Sequence, residues 1–155
     1  MTSKLLSTAA VLCATLGVTA AAIAQSSTPP AVEARQGQFQ IMNINIAVLG
    51  NMARGNTEYD AATAQAAADN LVAISQLDQS FHWPAGTDNF EMDGTRALPA
   101  IWENFDDFAS IWGDFGEASV AMAAVAGDGL DAVRGSIGAV GGTCGACHDS
   151  YRADD

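Results

Sequence analysis

Between Pro99 and Tyr151 the apolar residues fall at alternating steps of four and three. Ile101, Phe105, Phe108, Trp112, Phe115, Met122 and Ala126 make one run, with Ser119 filling the single missing step. Leu130, Val133, Ile137, Val140, Cys144, Cys147 and Tyr151 make the next. A helix turns about once in 3.6 residues, so this spacing lays a continuous apolar seam along one face. Neither seam can be buried by its own helix. Gly127-Asp128-Gly129 parts the two, so helices are predicted over 99–126 and 130–151. Pro99 suits a first helical turn, where its missing N–H costs nothing. Asp128 is placed to cap the last helix, with Asp131 in its first turn.

Two earlier stretches share the helical period. The first spans 31–53, with Val32, Phe39, Met42, Ile46 and Leu49 on its stripe, and stops at Arg54-Gly55-Asn56. The second spans 59–77, is Ala-rich, and shows Leu71 and Ile74 on its apolar side. Between the second and third helices lies DQSFHWPAGTDNFEMDGTRALP, crowded with Gly, Pro, Asp and Asn, which predicts a long irregular connection. No stretch alternates as a strand does, and no repeat appears. The expectation is an all-α chain, an antiparallel up-down-up-down four-helix bundle.

The N-terminus stands outside that bundle. Lys4 is followed by an apolar run from Leu5 to about Val18 and by Ala22-Ile23-Ala24, the pattern of a signal peptide cut before Gln25. The run is short and Ala-rich, with no basic stop after it, which argues against a membrane span. Residues 1–24 are therefore expected to be removed, Cys13 with them, leaving 25–155 as one periplasmic domain after a short SSTPP lead-in. Lys4 is the only lysine. The remaining five arginines face 18 carboxylates, a formal charge of −13. Such a surface repels nucleic acid and anionic membranes and suits basic partners.

Cys144-Gly145-Ala146-Cys147-His148 is a C-x-x-C-H motif, the pattern of c-type haem attachment. Thiols three residues apart share a helix face, as addition to the two vinyl groups of one haem requires. His148 follows at once and can swing under the iron. A redox C-x-x-C belongs at a helix start in a βαβ setting, and this one lies at the end of an all-α chain. A zinc site needs further ligands, and the mature chain adds only His82. Both cysteines also fall on the seam, so the haem is expected to face the bundle interior. One haem c, held through Cys144 and Cys147 with His148 as axial ligand, is the expected cofactor.

Arg35 precedes Phe39 by four residues and so sits on a stripe that should be buried. A buried cation needs a partner, and haem propionates would supply one; the alternative is a stem that reaches water near the helix start. Gln36 beside it can hydrogen-bond the same group. His82, Met42 and Met122 are the candidates for a sixth iron ligand. Should Phe39 cover the iron instead, the site would be five-coordinate and admit only small ligands.

The mature chain resembles cytochrome c′. The likeness is carried by ARQGQF, EYDA, FHWPAGT, GTRALPAIWENFDDF, AGD and GGTCGACHDSYR, and so spans nearly all of it. The resemblance implies a periplasmic homodimer of antiparallel bundles, each with one covalent haem and high-spin, five-coordinate iron. It places Phe39 on the distal side and Arg35 and Gln36 at the haem edge. It points to Thr95 and Arg96 as further haem contacts, with Arg96 standing where an acidic or polar residue is usual, and to Arg152 on the proximal side. The functions it implies are binding of nitric oxide or carbon monoxide, electron transfer with protein partners, or both. A plain electron carrier is the alternative. An enzyme is the weakest reading, because the distal helix offers apolar residues and Gln rather than a general acid–base.

Overall fold

The computed structural model describes residues 28–154; the expected signal peptide and its cut before Gln25 lie outside the described residues. The helices are α1 (Pro30–Arg54), α2 (Ala61–Ser75), α3 (Ala100–Glu103), α4 (Phe105–Ala123) and α5 (Leu130–Tyr151), with one 3-10 turn at Gln79–Phe81. α1 opens on Pro29-Pro30 and ends at Gly55, whose φ of 76° lets its N–H turn back to α1 carbonyls. α2 starts two residues later than the spacing predicts. Asp60 caps it by accepting from Thr63 N, and Tyr59 stays outside the helix with its hydroxyl donating to Ala126 O at 2.9 Å.

The predicted third helix is two. Asn104, at φ −133° and ψ 50°, divides α3 from α4. The break accompanies a reach across the fold: Trp102 Nε1 donates to Trp83 O at 3.0 Å. The expected cap of the last helix is also corrected. Gly129, not Asp128, takes the N-cap position, at a φ of 134° that a side-chain-bearing residue rarely adopts. Asp131 does lie in the first turn.

α1 packs on α2, α2 on α4, α4 on α5, and α5 closes the ring on α1. Two contacts set the directions. Arg134 near the start of α5 donates to Ala53 O at the end of α1, and Tyr59 before α2 meets Ala126 after α4. The helices therefore run alternately up and down, as the short links require. At the opposite end the 76–99 loop folds over the bundle. Leu98 N donates to Tyr151 O, Ala153 N donates to Arg96 O, and Ala97 pairs with Arg152.

Two apolar clusters form. The larger runs between the helices and contains Leu49, Leu71, Phe115, Met122, Val133 and Val140. The smaller, beneath the loop, is Trp83, Ile101, Phe108 and Tyr151. The α1 stripe is more polar than its sequence suggests. Arg35, Gln38 and Asn45 are all buried, while Phe39 is only half-buried. Gln38 and Gln79 satisfy each other through a reciprocal amide pair, both bonds 3.2 Å. Among the described residues no helix is long and apolar enough to cross a membrane.

Candidate functional site

Where the two clusters part, a cavity of about 420 Å³ opens. α1 contributes Arg35, Gln36 and Phe39, the loop Thr95 and Arg96, and α5 Cys144, Cys147, His148 and Arg152. These are the nine residues expected around the haem, drawn from three separate segments. The rest of the wall is mostly apolar, chiefly Trp83, Phe108, Trp112 and Phe115, with Met42 from the larger core.

The α5 side carries the reactive groups. Cys144 and Cys147 are half-buried free thiols on the seam, and Cys144 Sγ leans on Val140 O at 3.4 Å. Burial, and then the neighbouring Cys144, push the Cys147 thiol up to about 11 against the opposing pull of Arg152; burial also raises Cys144. His148 is held below its ordinary value by burial and by the positive charges of Arg152 and Arg96, so its imidazole is neutral at pH 7. Arg152 Nη1 lies 3.4 Å from His148 Nε2. Two protonated thiols and a neutral imidazole thus share one helix face.

The α1 side carries a cation. Arg35 is 2% exposed, which rules out the reading in which its stem reaches water. Nη1 donates to Thr87 Oγ1 at 2.9 Å and His82 O at 3.3 Å; Nη2 donates to Thr87 O at 2.6 Å and Thr95 Oγ1 at 3.0 Å. These acceptors are all uncharged. The guanidinium also stands 4.6 Å above the Trp83 ring. Among the described residues no carboxylate pairs with it. Burial accordingly lowers its pKa. A buried cation satisfied only by neutral oxygens lacks a counter-charge. Gln36 Nε2 donates to Gly94 O at 2.7 Å, so both neighbours on α1 staple the loop.

Arg96 also has a partner within the chain. Its Nε and Nη2 grip Ala153 O at 2.8 and 2.6 Å, tying the loop to the C-terminal tail, while the residue still borders the cavity. His82 is half-buried and does not border it; its Nδ1 lies 3.3 Å from Gln79 Oε1. Met122 lies in the main core away from the cavity, and Met42 borders it. Phe39 stands between two indoles, 6.4 Å from Trp83 and 6.5 Å from Trp112.

Sequence reasoning passed over Trp83, Thr87 and the Tyr151–Asp107 pair. The first had a signal: a Trp inside a loop of Pro, Gly and Asp has no reason to be there unless it is buried. Thr87 offered none, since its role depends on a helix 52 residues away.

The donor set fits a covalently held haem. Two thiols one helical turn apart line a mostly apolar cavity, a neutral imidazole adjoins them, and a buried cation with no carboxylate partner among the described residues borders the same cavity. Fold and site together define a c-type haem protein on a four-helix bundle. Residues 30–152 match the family profile Cytochrome C′, and the chain belongs to that family, whose cofactor is covalent haem c.

Cytochrome c′ of Cereibacter sphaeroides is 40% identical over 92% of this chain and 97% of the relative. Cytochrome c-554 of the same species is 40% identical over 80% of this chain and 93% of its own length. The solved cytochrome c′ from Rhodobacter sphaeroides superposes with a TM-score of 0.78 at 38% identity, covering 81% and 96% of the two chains. Variants of the Alcaligenes xylosoxidans cytochrome c′ have been solved with carbon monoxide (TM-score 0.68) and with nitric oxide (TM-score 0.69), each 31% identical. These cover 80% and 81% of this chain and 94% of theirs. A cytochrome c′ with ligand-controlled dimer dissociation matches at a TM-score of 0.72 and 31% identity, covering 83% of this chain and all of that one.

Proposed function

We propose that this protein is a periplasmic c-type haem protein with five-coordinate, high-spin iron, which binds nitric oxide and carbon monoxide, transfers electrons, or does both. The observation that carries the reading is the position of Phe39. It borders from α1 the same cavity as Cys144, Cys147 and His148 of α5, and stands between Trp83 and Trp112. A phenyl ring cannot ligate iron. Among the described residues the cavity wall holds no carboxylate, and no histidine besides His148. That wall suits a small uncharged ligand better than the acid–base chemistry of a peroxidase.

In this reading Cys144 and Cys147 hold the haem as thioethers and His148 ligates it through a neutral nitrogen. Arg152, 3.4 Å from that imidazole, biases it against protonation. Arg35 places its charge where a propionate would lie, with Gln36 and Thr95 beside it. Arg96 anchors the loop that closes this edge. When bound, the haem supplies an iron that exchanges one electron and takes up diatomic gases. Phe39, against Trp83 and Trp112, would restrict the space left for such a ligand.

The carbon monoxide and nitric oxide complexes of the Alcaligenes relatives support the gas-binding half. The relative with ligand-controlled dimer dissociation supports a homodimer. So do Ile41 and Ile44 on α1, 53% and 64% exposed, an apolar patch that a second copy would cover. Export follows from residues 1–24 and is tested by N-terminal sequencing, which should read from Gln25.

The second reading, a plain electron carrier with low-spin iron, rests on Met42, whose thioether side chain borders the same cavity. Resonance Raman spectra of the resting ferric and ferrous protein separate the two. Five-coordinate, high-spin bands are expected. A six-coordinate, low-spin signature would replace the first reading with the second.

A further inference from the structure

Trp83 has an indole N–H with nothing to donate to. Its ring borders the cavity and is 8% exposed, and Nε1 is buried without an acceptor among the described residues. The other two indoles of the chain are satisfied. Trp102 Nε1 donates to Trp83 O and Trp112 Nε1 to Ser75 O, each at 3.0 Å. Buried N–H groups without partners are uncommon, because each forfeits its bond to water with no replacement.

What surrounds Trp83 indicates what is missing. The Arg35 guanidinium lies 4.6 Å over the ring, buried and without a carboxylate. Both Arg35 Nη atoms are already committed to the loop oxygens of Thr87, Thr95 and His82. Gln36 has spent a donor on Gly94 O. A positive charge without a carboxylate and a ring whose buried N–H has no acceptor thus border the same cavity, and an anionic oxygen that reached both would answer both.

We propose that Trp83 Nε1 donates a hydrogen bond to a haem propionate, with Arg35 supplying the counter-charge to the same carboxylate. The assignment rests on the covalent-haem reading above and deepens it. Arg35 holds the loop in place through its Nη atoms, and Trp83, carried on that loop, delivers the specific bond. The loop therefore positions a group that tunes the haem.

The first test uses the intact holoprotein labelled with ¹⁵N-Trp, in its diamagnetic ferrous carbon monoxide form. The Trp83 indole proton should be protected from exchange and show a nuclear Overhauser contact to propionate methylene protons. An indole proton that exchanges freely, or that contacts only water, overturns the assignment. The second test is Trp83→Phe, which keeps a ring and removes the donor. Losing one charge-assisted bond should raise the propionate protonation midpoint, read from the pH dependence of the reduction potential, by roughly one pH unit. The potential at neutral pH should fall, because a less compensated carboxylate favours ferric iron. An unchanged midpoint and potential overturn the proposal. Should the iron be six-coordinate and low-spin, the ferrous protein is itself diamagnetic and the first test is run without carbon monoxide, so a six-coordinate Raman signature would remove the gas-binding reading and leave this one standing. Extraction of the haem by acidified acetone would remove the covalent reading itself.

Discussion

Tyr151 Oη donates to Asp107 Oδ2 at 2.6 Å, joining the last residue of α5 to the first turn of α4. The phenol is buried in the smaller cluster, with the Phe108 ring edge-on at 5.4 Å. The Asp107 bond, helped by burial, pushes the phenol up to about 12. A group raised above its unfolded value of about 10 stabilises the fold in full below that pH. The contribution is lost as pH climbs through about 12. Tyr151→Phe should therefore cost about 1.5 kcal/mol at pH 7, and wild type and variant should converge above pH 12. Denaturant titrations at pH 7, 10 and 12 measure this. A difference that persists undiminished at pH 12 would assign the loss to packing instead.

Arg35→Met keeps an apolar stem and removes the cation. It leaves Thr87 O, Thr95 Oγ1 and His82 O without their donor. The expected loss is on the order of 3 kcal/mol, with the 76–99 loop loosening before the helices. Hydrogen exchange should show the loop amides losing protection while α2 and α4 keep theirs. Haem attachment at Cys144 and Cys147 should be unaffected. Uniform loss of protection across all helices would show that Arg35 supports the whole bundle rather than the loop.

Phe39→Ala opens the α1 side of the cavity. Carbon monoxide should then bind the ferrous protein faster and more tightly, by about tenfold or more if steric cost is at least ~1.4 kcal/mol. Stopped-flow mixing and equilibrium titration measure both quantities. Phe39→Met places a thioether at the same site and should shift the iron toward low spin. Identical carbon monoxide kinetics in wild type and Phe39→Ala would dismiss Phe39 as the gate.

Cys144→Ser with Cys147→Ser should abolish haem retention under denaturing conditions. In wild-type chain made without haem attachment, Cys147 should alkylate slowly at pH 8. A thiol at about 11 is only about 0.1% thiolate there, so its rate should rise roughly tenfold per pH unit. Fast, pH-independent labelling would mean that the pocket does not form before attachment.

Gly138 lies in the interior of α5, exposed, and a Cβ there would meet nothing within 4 Å. Gly138→Ala should stabilise the protein by about 0.8 kcal/mol through helix propensity and a less mobile unfolded chain. A melting temperature at or below wild type would place a contact on that face, such as the second subunit.

The local features of the site were legible because their spacing is local. A step of three places Cys144 and Cys147 on one face whatever else the chain does, and His148 follows within the same turn. Arg35 betrayed itself by sitting four residues from Phe39 on a stripe otherwise apolar. Asn104 gave no such sign. The seam runs through it unbroken, and only the reach of Trp102 to Trp83 O accompanies the division of the helix. Arg96 was equally opaque, since the carbonyl it grips belongs to Ala153, 57 residues on.

The chain by itself determined the helical period, the four long helices and the thiol–thiol–imidazole face of α5, because each depends on contacts within a turn or on one repeating face. Only the tertiary structure decided what Arg35 answers to, which loop covers the cavity and which indole is left unsatisfied. The oxygens around Arg35 come from residues 47 to 60 positions away. No local periodicity can encode such a meeting. It arises when the bundle closes and the 76–99 loop is pressed against the start of α1, where a buried guanidinium must donate to whatever acceptors the packing brings.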